Sequence, residues 1–288
     1  MQTKNSRLRA LIERDIATVV PLVMDALSAM VAESAGFEAG YLGGAALGYS
    51  KCFTEANLSL AQISHAALEI SSACELPIVL DGQCGWGDPM HMHSSLRTVE
   101  AAGASAIEIE DQLMPKRAHH HIGTEHLIPA ELMVEKIKVA VAARRDPHFV
   151  VIGRTNACRS EGLDEALRRA DAYKRAGADL LLVLPKTPEQ ARTIGERIGG
   201  PLFLLMMGGI TTQGMSVEEM GGLGYRLVVD GLTPFYARQR ALRLAYEALA
   251  RGEADPTVGE DASDESAKLH EIIGLERMLE IERATVEK

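Results

Sequence analysis

Polar side chains that could do chemistry stand where short apolar runs of the sequence end. They are Asp81, Gln83, Glu108, Glu110, Asp111, Arg154 and Asn156. Carboxylates that converge at one place repel each other unless a cation joins them, and hard oxygen ligands favour magnesium or manganese over zinc. An arginine beside them can hold a carboxylate through two parallel hydrogen bonds. The pattern indicates a metal site that binds a small anion, although any single acid could instead cap the helix that follows it.

These residues need a scaffold that brings the ends of the runs together. Eight runs rich in Val, Ile and Leu alternate with segments of helical spacing, which is typical of repeated β–α units. The runs span residues 18–23, 39–44, 77–81, 105–111, 148–155, 179–184, 201–207 and 226–231. Eight such units predict an α/β fold of the (β/α)8 TIM-barrel type rather than a doubly wound sheet. The carboxyl ends of all eight barrel strands meet at one mouth, which would gather the polar residues.

Helix boundaries support this alternation and help to divide the chain. Two residue pairs have the spacing of N-terminal capping boxes. They are Thr187 with Gln190 and Ser216 with Glu219. We assign residues 1–252 to a catalytic barrel domain and residues 253–288 to an acidic linker with a C-terminal amphipathic helix. That helix either packs back on its own barrel or crosses to a neighbouring subunit.

The bulk composition narrows the classes of function. A hydrophobic fraction of 47% supports a folded core. The net charge of -10 argues against general binding to nucleic-acid phosphates or to anionic lipid, because both would repel the chain. No apolar run approaches the roughly 20 residues that span a bilayer, and the first residues lack the pattern of a signal peptide, so we expect a cytoplasmic protein. Its four scattered cysteines are expected to be reduced thiols.

Four segments, in their order and spacing, resemble the isocitrate lyase and phosphoenolpyruvate mutase superfamily. They are MDALSAMVAESAGFEAGYLGG at 24–44, LDGQCGWGD at 80–88, IEIEDQLMPKR at 107–117 and VVIGRTNA at 150–157. The resemblance covers nearly the whole predicted barrel. It implies a magnesium-dependent (β/α)8 barrel that acts on small anionic 2-oxo or 2-hydroxy acids. It also implies a homotetramer whose C-terminal helix is exchanged between subunits.

The resemblance implies a ligand set for the metal, which would be Mg²⁺ with Mn²⁺ as the alternative. Asp81 keeps the first acid of the superfamily's Asp-Ala-Asp motif, Gln83 stands at the second acid, and Glu110 matches the glutamate of its Glu-Asp-Gln motif. Glutamine retains an oxygen ligand but removes one negative charge. Glu55 is the counterpart of a further superfamily aspartate after the second strand. The predicted metal ligands are Asp81, Gln83 and Glu110.

The resemblance also assigns the contacts to the substrate. Backbone amides near a pair of glycines and two side chains after the fifth strand would hold its carboxylates. The predicted substrate-binding residues are Gly43, Gly44, Ala45, Arg154 and Asn156. Bond cleavage would leave an enolate, whose charge the metal stabilises as a Lewis acid. Lyases, decarboxylases and hydrolases of the superfamily share this step and differ in the group that supplies or removes the proton.

The stretch EDQLMPKRAHHHIG at 110–123 indicates which residues could supply or remove that proton. Superfamily lyases carry Lys-Lys/Arg-Cys-Gly-His on a mobile loop here, and the cysteine is the proton donor. This chain keeps Lys116 and Arg117 but has Ala118 at the cysteine position and His119 at the glycine position. Alanine cannot transfer a proton. The predicted catalytic residues are Arg154, Lys116, Arg117 and His119.

The three consecutive histidines, His119 to His121, leave more than one interpretation open. They could belong to a solvated loop, or to a gating loop in which one imidazole acts as an acid or base near neutral pH. A separate transition-metal site is the third alternative. Cys84, after the third strand, is the nearest alternative thiol by sequence.

The departures from the superfamily pattern favour one activity. The oxaloacetate decarboxylase branch also lacks the cysteine and carries Arg-Thr-Asn-Ala, as at 154–157 here. Decarboxylation of a 2-oxo acid needs an electron sink but no thiol above the substrate. We therefore predict a magnesium-dependent enzyme that cleaves a carbon–carbon bond in a small 2-oxo or 2-hydroxy dicarboxylate, as an oxaloacetate decarboxylase does. The alternatives are a methylisocitrate-type lyase, a phosphonopyruvate hydrolase or mutase, and a catalytically altered binding homologue.

Overall fold

Eight parallel strands close into a barrel in the computed structural model, which describes residues 2–259 and 262–287. Each strand pairs with the next one along the chain, and the eighth pairs with the first. The strands are β1 Thr18–Val23, β2 Gly40–Leu42, β3 Ile78–Asp81, β4 Ala106–Glu110, β5 Val150–Thr155, β6 Leu180–Val183, β7 Leu202–Met206 and β8 Tyr225–Asp230. The predicted (β/α)8 barrel is confirmed, and every predicted apolar run coincides with one strand.

Helices connect the strands and cover the outside of the barrel. They are α1 Lys4–Glu13, α2 Ala26–Ser34, α3 Gly44–Ser50, α4 Leu60–Ala73, α5 Pro89–Ala101, α6 Ala130–Ala143, α7 Ala157–Ser160, α8 Leu163–Arg175, α9 Pro188–Ile198, α10 Val217–Gly222, α11 Thr233–Ala250, α12 Ala262–Ile272 and α13 Leu275–Thr285. Two short 3₁₀ helices, Glu55–Asn57 and Ala118–Ile122, lie in the loops after α3 and β4. The inner faces of α4, α5, α6 and α8 pack on the outward-facing strand residues and form a hydrophobic layer around the barrel.

The N-terminal helix α1 closes one end of the barrel. Leu8 and Leu11 are buried in the cluster of side chains that fills the barrel interior. Lys4 Nζ donates to the carbonyl oxygens of Ser71 and Cys74 at 2.7 and 2.6 Å. Because these carbonyls precede β3, α1 covers the amino ends of the strands. The carboxyl ends form the mouth at which a barrel places its functional residues.

Side chains alternate between the inside and the outside of the barrel along each strand. The inward-facing residues of the deeper layers are apolar. They include Val20, Val79, Ala106, Val150, Ile152, Leu180, Phe203 and Leu227. Toward the mouth, the inward positions of β3, β4 and β5 become charged. The strand pattern therefore places the charged residues on one side of a hydrophobic plug.

Two predicted helix starts differ in how they are capped. Ser216 and Glu219 form the predicted capping box at the start of α10, with bonds of 2.7 and 3.1 Å. At α9 the Thr187 hydroxyl accepts from the Gln190 N–H at 3.3 Å, as predicted. The Gln190 side chain, however, accepts from the N–H of Lys186 at 2.8 Å, so that box does not close on Thr187.

The C-terminal segment holds two helices where the sequence spacing predicts one. α12 ends at Ile272 and α13 begins at Leu275, because Gly274 between them adopts a left-handed φ of 72°. α12 contacts α2, whereas Met278 and Ile281 of α13 are 52% and 50% exposed. Within the described residues, no helix is long and apolar enough to cross a membrane.

Candidate active site

Asp81 joins the carboxyl ends of β2 and β3 at the mouth. Its Oδ2 accepts from the backbone N–H of Gly44 at 2.9 Å, and its Oδ1 accepts from the N–H of Gln83 at 2.9 Å. A Cβ at residue 44 would lie 2.9 Å from Asp81 Oδ2, so this close approach requires glycine. Burial and the neighbouring Glu55 raise the pKa of Asp81. Two amides therefore fix this carboxylate, and the Gly44 amide predicted for the substrate is donated to Asp81.

Glu110, at the end of β4, lies beside Arg154 of β5 in the strand register. Its Oε2 accepts from Asn156 Nδ2 at 2.8 Å and lies 3.3 Å from Arg154 Nε. All three side chains are at most 3% exposed. The structure therefore brings together the predicted metal ligand Glu110 and the predicted substrate-binding residues Arg154 and Asn156.

Lys116 joins this cluster from the loop after β4. Its Nζ lies 2.5 Å from Glu55 Oε1 and 2.5 Å from Glu110 Oε1. Burial would lower the pKa of Lys116, but Glu110 and Glu55 raise it above its ordinary value. Burial likewise would raise the pKa of Glu110, but Lys116 and Arg154 hold it below its ordinary range. Lys116 and Glu110 therefore form a charged, buried pair.

Glu108 lies deeper in the barrel than Glu110 and pairs with Arg154. Arg154 Nη1 donates to Glu108 Oε1 at 2.6 Å, and the Tyr41 hydroxyl donates to Glu108 Oε2 at 3.2 Å. Burial raises the pKa of Glu108 to about 7, although Arg154 acts in the opposite direction. The same burial raises the pKa of Tyr41 well above its ordinary value. Tyr41 therefore stays a neutral hydrogen-bond donor.

The side chains at the mouth suit Mg²⁺, a metal that keeps part of its water shell, better than a metal that needs several protein ligands. Four buried carboxylates face two buried cations. The carboxylates are those of Glu55, Asp81, Glu108 and Glu110, and the cations are Lys116 and Arg154. In the part of the chain that the structure describes, no three His, Cys, Asp or Glu side chains converge closely enough to hold a metal. Mg²⁺ commonly uses one or two carboxylates and keeps several waters, so a mouth lined by carboxylates is compatible with this metal.

Gln83 links β3 and β4 through its backbone. It has a left-handed φ of 47°, and its carbonyl accepts from the N–H of Glu110 at 2.8 Å. Its side chain is buried, and among the described residues its Nε2 has no hydrogen-bond partner. A nitrogen of this kind cannot bind a cation, so contact with a metal would require the amide oxygen in that position. The role of Gln83 as a metal ligand stays a prediction.

The loop after β4 folds over the mouth as a lid, which we define as residues 113–126. Its stem is an antiparallel bridge between Gln112 and Leu127. Below the stem, the N–H of Ile128 donates to the carbonyl of Asp111 at 2.9 Å. Arg169 Nη1 then donates to the Ile128 carbonyl at 2.9 Å and to Asp111 Oδ2 at 3.2 Å. The base of the lid is therefore tied to the barrel, and its tip carries Lys116 and the histidines.

The three consecutive histidines of the lid, His119 to His121, face different partners. His119 lies 3.2 Å from His126, His121 lies 3.0 Å from the Tyr49 hydroxyl, and His120 lies 2.9 Å from Glu125 and 3.3 Å from Glu55. His119 and Arg117, both predicted as catalytic, are exposed and lie outside the buried cluster. Among the three imidazoles, it is His120 that contacts this cluster.

Cys84, the nearest alternative thiol by sequence, does not take the place of the missing cysteine at the tip of the lid. Ala118 begins the 3₁₀ helix of the lid and is exposed. Cys84 is buried, and its Sγ lies 3.9 Å from Glu110 Oε1. Burial and the nearby Glu110 raise the pKa of Cys84, which keeps it protonated and a poor acid.

Two residues that complete the cluster, Tyr41 and Glu125, were not expected from the sequence. Glu108 and His120 were expected only as members of a group, Glu108 among the strand-end acids and His120 among the three consecutive histidines. Glu108 carried a usable signal, because a residue two positions before Glu110 on a strand faces the same side of the sheet. Tyr41 and Glu125 carried none, since only the barrel closure and the fold of the lid bring them to Glu108 and His120.

Together, the fold and the site define an α/β-barrel protein with an acidic, magnesium-compatible mouth beneath a lid. A family model for phosphoenolpyruvate phosphomutase matches residues 8–250. The chain therefore belongs to this family, within the phosphoenolpyruvate mutase and isocitrate lyase superfamily.

Its curated relatives include lyases and a decarboxylase. A 2,3-dimethylmalate lyase from Eubacterium barkeri is 32% identical over 96% of both chains. A 2-methylisocitrate lyase from Aeropyrum pernix is 36% identical over 81% of this chain and 76% of its own. An oxaloacetate decarboxylase from Rhodopseudomonas palustris is 32% identical over 87% of this chain and 86% of its own. The solved structure of a phosphonopyruvate hydrolase with oxalate and Mg²⁺ has a TM-score of 0.85 at 29% identity, covering 99% of this chain and all of that one.

Proposed function

We propose that the chain is a magnesium-dependent enzyme that cleaves a carbon–carbon bond in a small 2-oxo or 2-hydroxy dicarboxylate, as an oxaloacetate decarboxylase does. The observation that carries the proposal is the composition of the lid. Ala118 stands where the lyase pattern has a cysteine, and the lid brings Lys116 and His120 to the cluster instead. Decarboxylation requires no thiol above the substrate. The similarity to an oxaloacetate decarboxylase over most of both chains supports this choice.

The contacts of each residue suggest its role. Arg154 would hold a substrate carboxylate through the N–H groups that Glu108 and Asn156 leave free. Gly43 and Ala45, at the start of α3, would offer further amides. Lys116, protonated and buried, would stabilise negative charge that develops on the substrate or return a proton to it. Arg117 and His119 are exposed, so the catalytic roles predicted for them would require movement of the lid.

Mg²⁺, when bound, would supply a Lewis acid that stabilises an enolate. Asp81 and Glu110 would hold it, with Glu55 and Gln83 beside them. The structural similarity to a hydrolase that binds oxalate and Mg²⁺ supports this assignment. Mn²⁺ shares the preference for oxygen ligands and would replace Mg²⁺ in part.

A direct test measures pyruvate formation from oxaloacetate above the rate that the metal alone produces. We expect activity with Mg²⁺ or Mn²⁺, loss of activity with a chelator, and loss in Asp81→Asn. Asp171→Asn is the matched control, because this aspartate is exposed and pairs with Arg175 on the surface of α8. The proposal fails if a panel of 2-oxo and 2-hydroxy dicarboxylates gives no turnover while Asp81→Asn leaves metal binding unchanged.

A carbon–carbon lyase is the second candidate, and the 2,3-dimethylmalate lyase that matches 96% of this chain favours it. The two activities differ in their second product, which is carbon dioxide for a decarboxylase and a carboxylic acid for a lyase. A trap for carbon dioxide separates them on the same substrate panel. Phosphate release from phosphonopyruvate would identify a hydrolase instead, and thermal stabilisation by oxalate without any turnover would identify a binding homologue.

We also propose that the protein is a cytoplasmic homotetramer whose C-terminal helix is exchanged between subunits. The support in this structure is that α13 leaves Met278 and Ile281 half exposed at the end of the chain. Burial of such side chains is favourable by roughly 25 cal/mol for each Å² removed from water. Light scattering should give four subunits, and Met278→Glu with Ile281→Glu should reduce that number. A tetramer that survives both changes would argue against the exchanged helix.

A further inference from the structure

Glu108 lies one layer below the groups that would meet a substrate. Glu108 and Glu110 are two residues apart on β4, so both face the barrel interior. Glu110 is level with Arg154 in the strand register, whereas Glu108 is level with Ile152, deeper in the barrel. Glu108 therefore contacts Arg154 from beneath, on the side away from the mouth.

Both oxygens of the Glu108 carboxylate have a fixed partner. Oε1 accepts from Arg154 Nη1 at 2.6 Å, and Oε2 accepts from the Tyr41 hydroxyl at 3.2 Å. The Tyr41 ring in turn packs on Phe203 from the opposite wall, with 5.9 Å between the ring centroids. A continuous row of contacts thus runs through the barrel interior from Phe203 to Tyr41 and Glu108, and it ends at Arg154.

Asn156 holds the other side of the Arg154 guanidinium. Its Oδ1 accepts from Arg154 Nε at 3.1 Å and from Nη2 at 3.0 Å. With the bond to Glu108, three of the five N–H groups of a guanidinium are used. One N–H on Nη1 and one on Nη2 are left, and a carboxylate at the end of a guanidinium can accept from both of these nitrogens.

We propose that Glu108, held in place by Tyr41, is a positioning residue that orients Arg154 toward a substrate carboxylate. This inference rests on the proposed function, in which Arg154 binds that carboxylate. Glu108 acts through the orientation of the guanidinium and does not touch the substrate. Preorganised donors of this kind bind more tightly because they lose less freedom when the ligand arrives.

A purely structural role for Glu108 predicts different behaviour. If Glu108 only neutralised the buried charge of Arg154, any variant without the negative charge would fail equally. If Glu108 orients Arg154, Glu108→Gln should work, because its amide oxygen still accepts from Nη1. Glu108→Ala should then be defective, because it removes the acceptor.

The experiment measures oxalate binding to the Mg²⁺-loaded protein by calorimetry, with Mn²⁺ affinity and melting temperature measured in parallel. We expect Glu108→Ala to weaken oxalate about tenfold and Tyr41→Phe about threefold, while Glu108→Gln stays within about threefold of the parent. Mn²⁺ affinity should change by less than about twofold in Tyr41→Phe. If Glu108→Ala does not fold, Tyr41→Phe decides, because it removes one hydroxyl and keeps the ring on Phe203.

A double-mutant cycle shows whether Glu108 acts through Arg154. In an Arg154→Lys background, which has no planar guanidinium to orient, we expect Glu108→Ala to weaken oxalate by less than about twofold further. Additive effects of the two changes, or equal loss in Glu108→Gln and Glu108→Ala, would overturn the inference alone. If Arg154→Lys binds oxalate as the parent does, the role of Arg154 in the proposed function is wrong as well.

Discussion

The two halves of the barrel mouth differ in what fixes their side chains. The charged half, built by β3, β4 and β5, presents Asp81, Glu108, Glu110, Arg154 and Asn156. The apolar half, built by β6, β7, β8 and β1, presents Leu22, Leu182, Leu184, Leu205 and Val229. Hydrogen bonds and ion pairs are directional, so each group of the charged half has a defined orientation. Hydrophobic packing is not directional, so the apolar half is defined by volume.

The loops above the two halves also differ in what holds them. The lid over the charged half is held by the pairs that Lys116 makes with Glu55 and Glu110 and by the contact of His120 with Glu55. After β7, Gly208 and Gly209 adopt positive φ, and a Cβ at either residue would meet no atom within 4 Å. From this difference we infer that the reactive groups and the walls that fit a substrate come from different sides of the mouth. We expect the charged half to hold the substrate carboxylate and the apolar half to select among substituents.

The largest effect should come from Arg154→Met, which breaks the charged half. The change removes the cation that pairs with buried Glu108 and one of the two cations that pair with buried Glu110. This loss should lower the free energy of unfolding by about 3–5 kcal/mol. Oxalate binding should fall by more than about 100-fold, since both parallel hydrogen bonds are lost. Urea unfolding and calorimetry measure the two effects. Equal losses in Arg226→Met, an arginine at the opposite end of the barrel, would show that the effect is not local.

Leu182→Ala tests the apolar half. Leu182 is fully buried, so its truncation should lower the free energy of unfolding by about 2–5 kcal/mol. Leu182 is the strand neighbour of Arg154, but it makes no hydrogen bond to the charged half, so oxalate binding should stay within about threefold of the parent. The matched control is Leu242→Ala, at a residue that is 47% exposed. A tenfold loss of oxalate affinity in Leu182→Ala would contradict the separation of the two halves.

Lys116→Met probes how the lid is attached to the charged half. Without the ammonium group, Glu55 and Glu110 lose the cation that they share. A divalent metal then no longer competes with Lys116 for these carboxylates. Mn²⁺ should then bind up to about tenfold more tightly, while amide hydrogen exchange in the lid becomes faster. Paramagnetic resonance of Mn²⁺ and exchange mass spectrometry provide the two measurements. Lys138→Met removes an exposed lysine of α6 as the control. Weaker Mn²⁺ binding with an unchanged lid would be the contrary result.

The smallest effect is expected at Met207, on the rim of the apolar half. This side chain is 45% exposed, and its Sδ lies near Gly231 at the end of β8. Met207→Ala should change stability by less than about 0.5 kcal/mol. It should shift the relative kcat/KM of substrates that differ by one methyl group by about two- to threefold. Unchanged ratios across the panel would show that this rim does not take part in selection.

Much of the scaffold could be predicted from sequence because its signals are local. The eight strands follow from apolar runs of strand length, and Asp81, Glu110 and Arg154 were identified because each lies at or next to the end of such a run. The break in the C-terminal segment was missed although Gly274 marks it, because the apolar spacing continues on both sides. Periodicity alone does not reveal a left-handed residue between two helices.

By itself the sequence determined the barrel, the end at which its polar residues gather and the absence of a cysteine at residue 118. Tertiary structure decided which of these residues meet. Lys116 pairs with Glu55 across 61 positions, Glu108 takes its place beneath Arg154, and the Gly44 amide is donated to Asp81. The physical reason is that side-chain spacing within one strand or helix is fixed by local geometry, whereas contacts between strands depend on barrel closure and on the fold of the lid.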